Sequence, residues 1–413
     1  MRAMCVSIAG LLALSCVCVA GTVDDGGRLA RVKAMLATGK QTVRVVAFGD
    51  SITGVYYHTG GRRAWCAMLG IALGKAYPQA KLQMFNAGIS GNTTDAGLKR
   101  IERDVVARKP HLVVVMFGMN DVCRRKAEHF RANLRTIVGR CREAGAAVVL
   151  CTPNSTYANK RRPMNQLGVY AQVVRDVARE LTVPVADCFA AYEALRKKDE
   201  TEWMLLMSEV IHPAMLGHRL FAEVMTHTIS GKTVSMADVP APDDALRFTL
   251  RRLKAGQPLK VVAMPPYDTL VPEVLRKQFP KAKIQVTPWP VEGQSLAAIE
   301  QWAKRIRKAP PHLVVVAVPA DAASPNDGAF IRSYNWVLNY SINFGRARWD
   351  LLPILPSVTG PVPAAHRARA KLARRIILGK DYLAVTRAPG DTRPARDVLA
   401  AWIAKQKGAE ASR

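Results

Sequence analysis

Acidic residues are scarce in this 413-residue chain: 32 Asp and Glu stand against 60 Lys and Arg, giving a net charge of +28 and a pI near 10.2. Such an excess suits anionic partners, whether nucleic acid, an anionic surface or an acidic polysaccharide. No nucleic-acid-binding module is present, and the densest basic run, His366 to Arg375, reads as one side of a helix. Nucleic acid is therefore not expected as a partner; an acidic glycan remains a candidate, against a plain reading of the charge as spread over solvated faces. Long apolar runs are missing after residue 20, so no later segment is expected to span a bilayer. Cysteine is absent after Cys188. Of the eight, three fall within the first twenty residues, and the other five (Cys66, Cys123, Cys141, Cys151 and Cys188) are odd in number and fit no zinc-ligand spacing. They read as small buried apolar residues with one optional disulfide, and neither a metal nor a cofactor is expected.

What the N-terminus does contain is Arg2 followed by an apolar run from Ala3 to Ala20, with Asp24 and Asp25 soon after. A basic start, a short apolar middle and small residues at Cys18 and Ala20 read as a secretory signal cut after Ala20, which places the protein outside the cytoplasm, secreted or periplasmic. A membrane anchor competes, but the run is short and holds Ser7, Gly10 and Ser15. Lipid attachment at Cys16 is a third reading, preceded by Ala13-Leu14-Ser15, a poor match to a lipoprotein signal. The remaining composition, 49% hydrophobic and 22% charged, leaves ample material for two or three cores.

The rest of the chain alternates short β-branched runs with helical segments. Val43 to Phe48, Leu82 to Phe85, Leu112 to Phe117, Ala147 to Cys151 and Val183 to Ala186 read as buried strands. Helices are predicted over 28–38, 64–77, 97–108, 128–144, 170–180 and 217–227. This order implies a parallel sheet covered on both faces, an α/β domain. Residues 229–257 hold Gly, Ser and Pro and read as a linker. Beyond it the pattern returns. Lys260-Val-Val-Ala matches Arg44-Val-Val-Ala, Phe279-Pro-Lys-Ala-Lys-Ile-Gln matches Tyr77-Pro-Gln-Ala-Lys-Leu-Gln, and Pro311-His-Leu-Val-Val-Val repeats Pro110-His-Leu-Val-Val-Val. Three matches in one order imply a duplicated domain. The expected division is a leader at 1–20, a catalytic domain at 21–230, a linker at 231–257 and a second, degenerate copy at 258–410.

Chemistry concentrates in the first copy. Strand one runs into Gly49-Asp50-Ser51, the second strand into Gly88-Ile89-Ser90-Gly91, the third into Gly118-Met119-Asn120-Asp121, and His212-Pro213 precedes the last helix. In a doubly wound sheet these turns converge on one edge. Ser51 needs a base, for which His212 is the candidate, and donors for the oxygen that becomes negative on attack. The backbone N–H groups of Ser51 and Gly91 and the amide of Asn120 can supply them. Taken singly, Gly91 and Asn120 read equally well as turn residues, and a lone His as a structural one. In the second copy Ser51 aligns with Tyr267, Asp50 with Pro266, Asn120 with Asp321 and, more loosely, His212 with Arg393; only Gly91 keeps its counterpart, Gly293.

These four ordered blocks, over roughly residues 42 to 228, resemble those of the SGNH hydrolases, the GDSL-type esterases. The resemblance implies a three-layer α/β/α, flavodoxin-like fold and ester hydrolysis through an acyl-serine without a metal, with Ser51 as nucleophile, His212 as base, and Ser51, Gly91 and Asn120 as oxyanion donors. One position departs from the family. Glu209 stands where Asp usually lies three residues before the His; it can still orient the imidazole, or leave a Ser-His dyad. An O-acetyl ester of carbohydrate is the expected substrate, with Tyr56, Tyr57, Arg62 and Arg63 as candidate sugar contacts or mere loop anchors. A lipase, lysophospholipase or thioesterase activity is the alternative among enzymes, and a non-catalytic glycan-binding protein the alternative outside them.

Overall fold

The structure, a computed structural model, describes residues 25–242 and 245–411; the expected leader lies outside the described residues. Five strands build the first sheet: β1 Thr42–Gly49, β2 Lys81–Gly88, β3 Leu112–Met116, β4 Ala147–Cys151 and β5 Val185–Ala186. All are parallel, in the order β2-β1-β3-β4-β5. β3 and β4 are buried along their whole length, because helices cover both faces, and this is why they read as unbroken apolar runs. The helices Asp25–Thr38, Trp65–Ala76, Ala127–Glu143, Met164–Glu180 and Met215–Ser230 supply those layers.

Register decides where the turns leave the sheet. Gly49 lies opposite both Gly88 of β2 and Met116 of β3. The loops after β1, β2 and β3 therefore emerge level with one another. β1 has β2 on one flank and β3 on the other, so the strand order reverses at β1 and opens a crevice at its carboxyl end.

One predicted helix is broken. In place of a helix over 97–108 there are two short helices, Thr94–Leu98 and Ile101–Asp104, and a 3-10 turn at Val106–Arg108. Arg100 at the break turns inward, only 7% exposed, and donates to Gly49 O (2.8 Å), Ala87 O (2.9 Å), Asn92 Oδ1 (2.8 Å) and Asp104 Oδ2 (2.9 Å). It thereby joins strand-end carbonyls of β1 and β2, Gly49 O also accepting from Ile89 N–H at 3.2 Å. One guanidinium satisfies both, which outweighs the helix propensity of the segment. The helix predicted from 170 begins instead at Met164, behind Pro163.

The second sheet has β6 Leu259–Ala263, β7 Ile284–Pro288, β8 Leu313–Val316 and β9 Asp350–Pro353, parallel in the order β7-β6-β8-β9. Its order corresponds to β2-β1-β3-β4 of the first sheet, without a counterpart of β5. Arg44 N–H donates to His111 Nδ1 at 2.9 Å, and Lys260 N–H donates to His312 Nδ1 at 2.9 Å. The connecting stretch is packed: Met236 and Val239 are buried with Met68, Ala72, Met215 and Ala222. The two halves also share a core, since Tyr57 and Leu205 are buried among the apolar residues of the second. The five described cysteines are all free thiols, so the optional disulfide does not form among them. No helix among the described residues is long and apolar enough to cross a membrane.

Candidate active site

Ser51 follows β1 in a tight turn that Asp50 braces, its Oδ1 accepting from Ile52 N–H at 2.9 Å. The Ser51 hydroxyl lies 2.8 Å from His212 Nε2, across 161 positions of chain. On the far side of the ring, His212 Nδ1 meets Glu209 Oε1 in a short contact. The same oxygen accepts the backbone N–H of His212 at 2.9 Å, and Oε2 accepts from Ile211 N–H at 3.4 Å. A carboxylate accepts only, so Nδ1 carries the proton and the Nε2 lone pair faces the serine. Burial pulls the Glu209 pKa upward; the His212 charge and the bonds from His212 and Ile211 together outweigh it and hold the carboxyl below its ordinary value.

The loop carrying this pair is tightly tied. Ser208 N–H donates to His212 O at 2.9 Å, Met207 bridges to Pro213, and Asn154 Nδ2 donates to Ile211 O at 3.1 Å.

Gly91 sits in the left-handed region, φ +76°, where a side chain is disfavoured although a Cβ would meet nothing within 4 Å. Glycine is needed here for the backbone angle and not for clearance. Among the described residues neither the Ser51 nor the Gly91 N–H has an acceptor. Asn120 is different: its amide hydrogens are directed at Asn92 O (3.0 Å) and, more weakly, Asp50 Oδ2 (3.3 Å). Asp50, 1% exposed, is pushed up to about 7 by burial, against the pull of the Ile52 N–H and the His212 charge.

Several further residues, given no role on sequence grounds, support the site. Arg162 donates to Met119 O (2.7 Å) and Asn120 Oδ1 (3.2 Å), fixing the amide. Asp121 Oδ1 accepts from the N–H (2.9 Å) and hydroxyl (2.6 Å) of Thr94, joining the β3 turn to the loop after Gly91. His58 stacks on His212 with ring centres 4.4 Å apart and planes at 7°, and His218 stacks beyond it at 6.0 Å. Both are held neutral, chiefly by burial and then by the charge of His212; His218 is lowered to about 3. In the sequence Asp121 closes the turn after the third strand and His58 falls in the loop after Ser51, whereas nothing marks Arg162.

Of the four loop residues expected near a sugar, the tyrosines reach the site and Arg63 does not. Tyr57 lies 6.2 Å from His212, ring to ring, and the Tyr56 hydroxyl accepts from Ser90 N–H at 2.9 Å. Arg63 is spent on Asp381 (2.7 Å) and Pro240 O (2.6 Å), because a buried carboxylate outcompetes solvent for it. Arg62 is half-buried.

Residues 47–220 match the GDSL-like Lipase/Acylhydrolase family. An acetylxylan esterase from Geobacillus stearothermophilus is 31% identical over 166 residues, 37% of this chain and 74% of the relative. The chain belongs to the GDSL-like lipase/acylhydrolase family. As a GDSL family member it is a hydrolase of ester bonds. A thioesterase 1/protease 1/lysophospholipase L1 from Escherichia coli is 28% identical over 41% of this GDSL hydrolase and 74% of its own length. The solved structure of an acetylxylan esterase from Geobacillus stearothermophilus aligns over 47% of this chain and 97% of that chain, at 27% identity with a TM-score of 0.41.

Proposed function

We propose that this chain is an exported serine esterase that removes O-acetyl groups from carbohydrate through an acyl-serine intermediate. The observation that carries the reading is the 2.8 Å contact between Ser51 Oγ and His212 Nε2, with Glu209 behind the ring. The Ser51 proton passes to Nε2 as Oγ bonds to the acyl carbon, and the carbonyl electron pair moves onto oxygen. The N–H groups of Ser51 and Gly91 face that oxygen, and Asn120 joins them by giving up its longer bond to Asp50. Collapse breaks the bond to the alcohol, which takes the proton from Nε2. Water repeats the sequence, releasing the acid and restoring Ser51. Glu209 holds the tautomer and faces the positive charge that forms on His212.

Carbohydrate is favoured by the likeness to an acetylxylan esterase and by the rim of the site. There Phe344, 54% exposed, lies 5.6 Å from Tyr56 and 5.4 Å from Tyr57, a broad apolar face on which a sugar ring can rest. The second half, 258–410, we read as a duplicate that kept the sheet and lost the chemistry. Tyr267, at the position of Ser51, is buried with its hydroxyl 3.0 Å from Thr359, and Gly293 keeps the positive φ (+65°) of Gly91. The leader at 1–20 and the division at 231–257 belong to this proposal.

The test compares wild type with Ser51→Ala on p-nitrophenyl acetate, acetylated xylo-oligosaccharides, lysophospholipid and acyl thioesters. Acetate release abolished in the variant supports the reading. Wild-type turnover by Ser51→Ala overturns it, and a preference for lysophospholipid or thioester moves the substrate class to the alternative.

A further inference from the structure

Lys380 stands far from Ser51 in sequence and is 1% exposed. It caps the helix Arg367–Gly379 of the second half. Its three hydrogens have three acceptors: Ser208 Oγ at 2.6 Å, Asn339 Oδ1 at 2.9 Å and His58 O at 3.3 Å. Each acceptor belongs to a different segment. Ser208 immediately precedes Glu209, His58 covers the face of His212, and Asn339 lies on the helix Asp327–Tyr340. Asn339 returns a bond of its own to Ser208 O at 3.1 Å, and Asn335 donates to Met207 O at 3.3 Å.

From these contacts we infer that Lys380 is a positioning residue of the esterase centre: it ties the turn that carries Glu209 and His212 to the loop that carries His58, so the second half completes the active site. The inference rests on the esterase reading above. Ser208 is stapled on both sides, its N–H to His212 O and its carbonyl and hydroxyl to the second half. The position of Glu209 relative to the imidazole follows from that. The ring is then held at its edge by Glu209 and over its face by His58, and both holders are anchored by one ammonium.

Burying an ammonium is costly, and an apolar residue of the same length would usually serve packing as well or better. Burial lowers the Lys380 pKa to about 7, with Glu209 acting the other way. The interface has a separate rivet in the next residue. Asp381 takes Arg63 at 2.7 Å and Arg219 at 2.6 Å. Adhesion between the halves and alignment of the catalytic turn are thus assigned to neighbouring but different side chains. Ser208 and Lys380 also form a close hydroxyl–amine pair, but Ser208 is fully buried, so substrate cannot reach it.

The experiment measures Lys380→Met in the full chain, with Asp381→Asn as the adhesion control. The expected result for Lys380→Met is a kcat lowered on the order of 10- to 100-fold at unchanged KM, as a displacement near 1 Å would give, with thermal stability kept. The low-field imidazole proton between His212 and Glu209, assigned by its loss in Glu209→Gln, should shift or broaden. Asp381→Asn should lower stability without moving that signal. Wild-type kcat and an unmoved proton in Lys380→Met overturn the inference, as does an equal kcat loss in both variants that tracks stability. Should Lys380→Met fail to fold, Ser208→Ala replaces it: a kcat loss at constant KM supports the clamp, and unchanged kcat refutes it. The proton signal reads the clamp without any substrate. If turnover proves independent of Ser51 while the signal still moves, the esterase reading has failed and the clamp has not.

Discussion

Replacing Glu209 by Gln keeps the volume of the side chain and removes its charge. In the structure one oxygen, Oε1, receives both the Nδ1–H and the backbone N–H of His212, while Oε2 faces Ile211 N–H at 3.4 Å. A Gln that leaves its carbonyl toward His212 turns an NH2 against the Ile211 N–H. The flipped amide instead presents a donor to Nδ1 and drives the proton to Nε2, where it blocks abstraction from Ser51. Either way the imidazolium formed on attack loses the charge opposite it. Neutralising the orienting carboxylate of a Ser-His-Asp triad with its geometry kept lowers kcat by about 10⁴, so a kcat lowered on the order of 10²–10⁴ is expected here. KM should hold, because Glu209 is buried behind the ring and does not meet substrate. Steady-state hydrolysis of p-nitrophenyl acetate across a pH series is the assay, with circular dichroism to show that folding is intact. Glu209→Asp, one methylene shorter, should fall between the two. A Glu209→Gln enzyme within about threefold of wild-type kcat would refute the reasoning and leave Ser51 and His212 as a self-sufficient dyad.

Two further outcomes are expected. Gly91→Ala meets no neighbour, so its cost is the left-handed backbone alone, about 1–2 kcal/mol. Thermal denaturation should register a fall of only a few degrees while kcat drops on the order of tenfold or more if the Gly91 N–H binds the oxyanion; unchanged kcat would remove that donor from the site. In the second half, Asp350 is buried with Oδ2 accepting from Thr249 N–H at 2.6 Å, and burial raises its pKa from 3.8 to about 6 against the bonds from Thr249. Its folded pKa lies above the unfolded one, so the folded state holds the extra proton between those values and stability falls as pH rises through them. Relative to Asp350→Asn, wild type should lose up to about 3 kcal/mol between pH 4 and 6, read by urea unfolding; a pH-independent difference between the two would contradict the shift.

Much of the site was legible because its signals are local. A β-branched run buried on both faces, followed by Gly-Asp-Ser, states both a strand and the turn that ends it. Parallel pairing then levels Gly49 with Gly88 and Met116, so Ser51, Gly91 and Asn120 were bound to share an edge once three such strands were recognised. Even the repeat of Pro-His-Leu-Val-Val-Val carried its structural meaning, the same imidazole accepting from the same strand position in each half.

Charged side chains were not legible in this way, because burial and partner are decided by packing across long separations. Arg100 looked like one more residue of a helix and instead turns inward to donate to two strand ends. Arg63 read equally as a sugar contact or a loop anchor, and it meets Asp381, 318 positions away. Sequence fixed neither the commitment of the Asn120 amide to Asn92 and Asp50 nor the stacking of His58 on His212. Lys380 was one cation among sixty, and only the approach of its helix to Ser208, 172 positions distant, makes it part of the centre. Apolar periodicity and turn residues write a fold into the chain because each acts on its neighbours. A buried charge acts on whatever the completed fold brings beside it, and that is known only when the halves have closed.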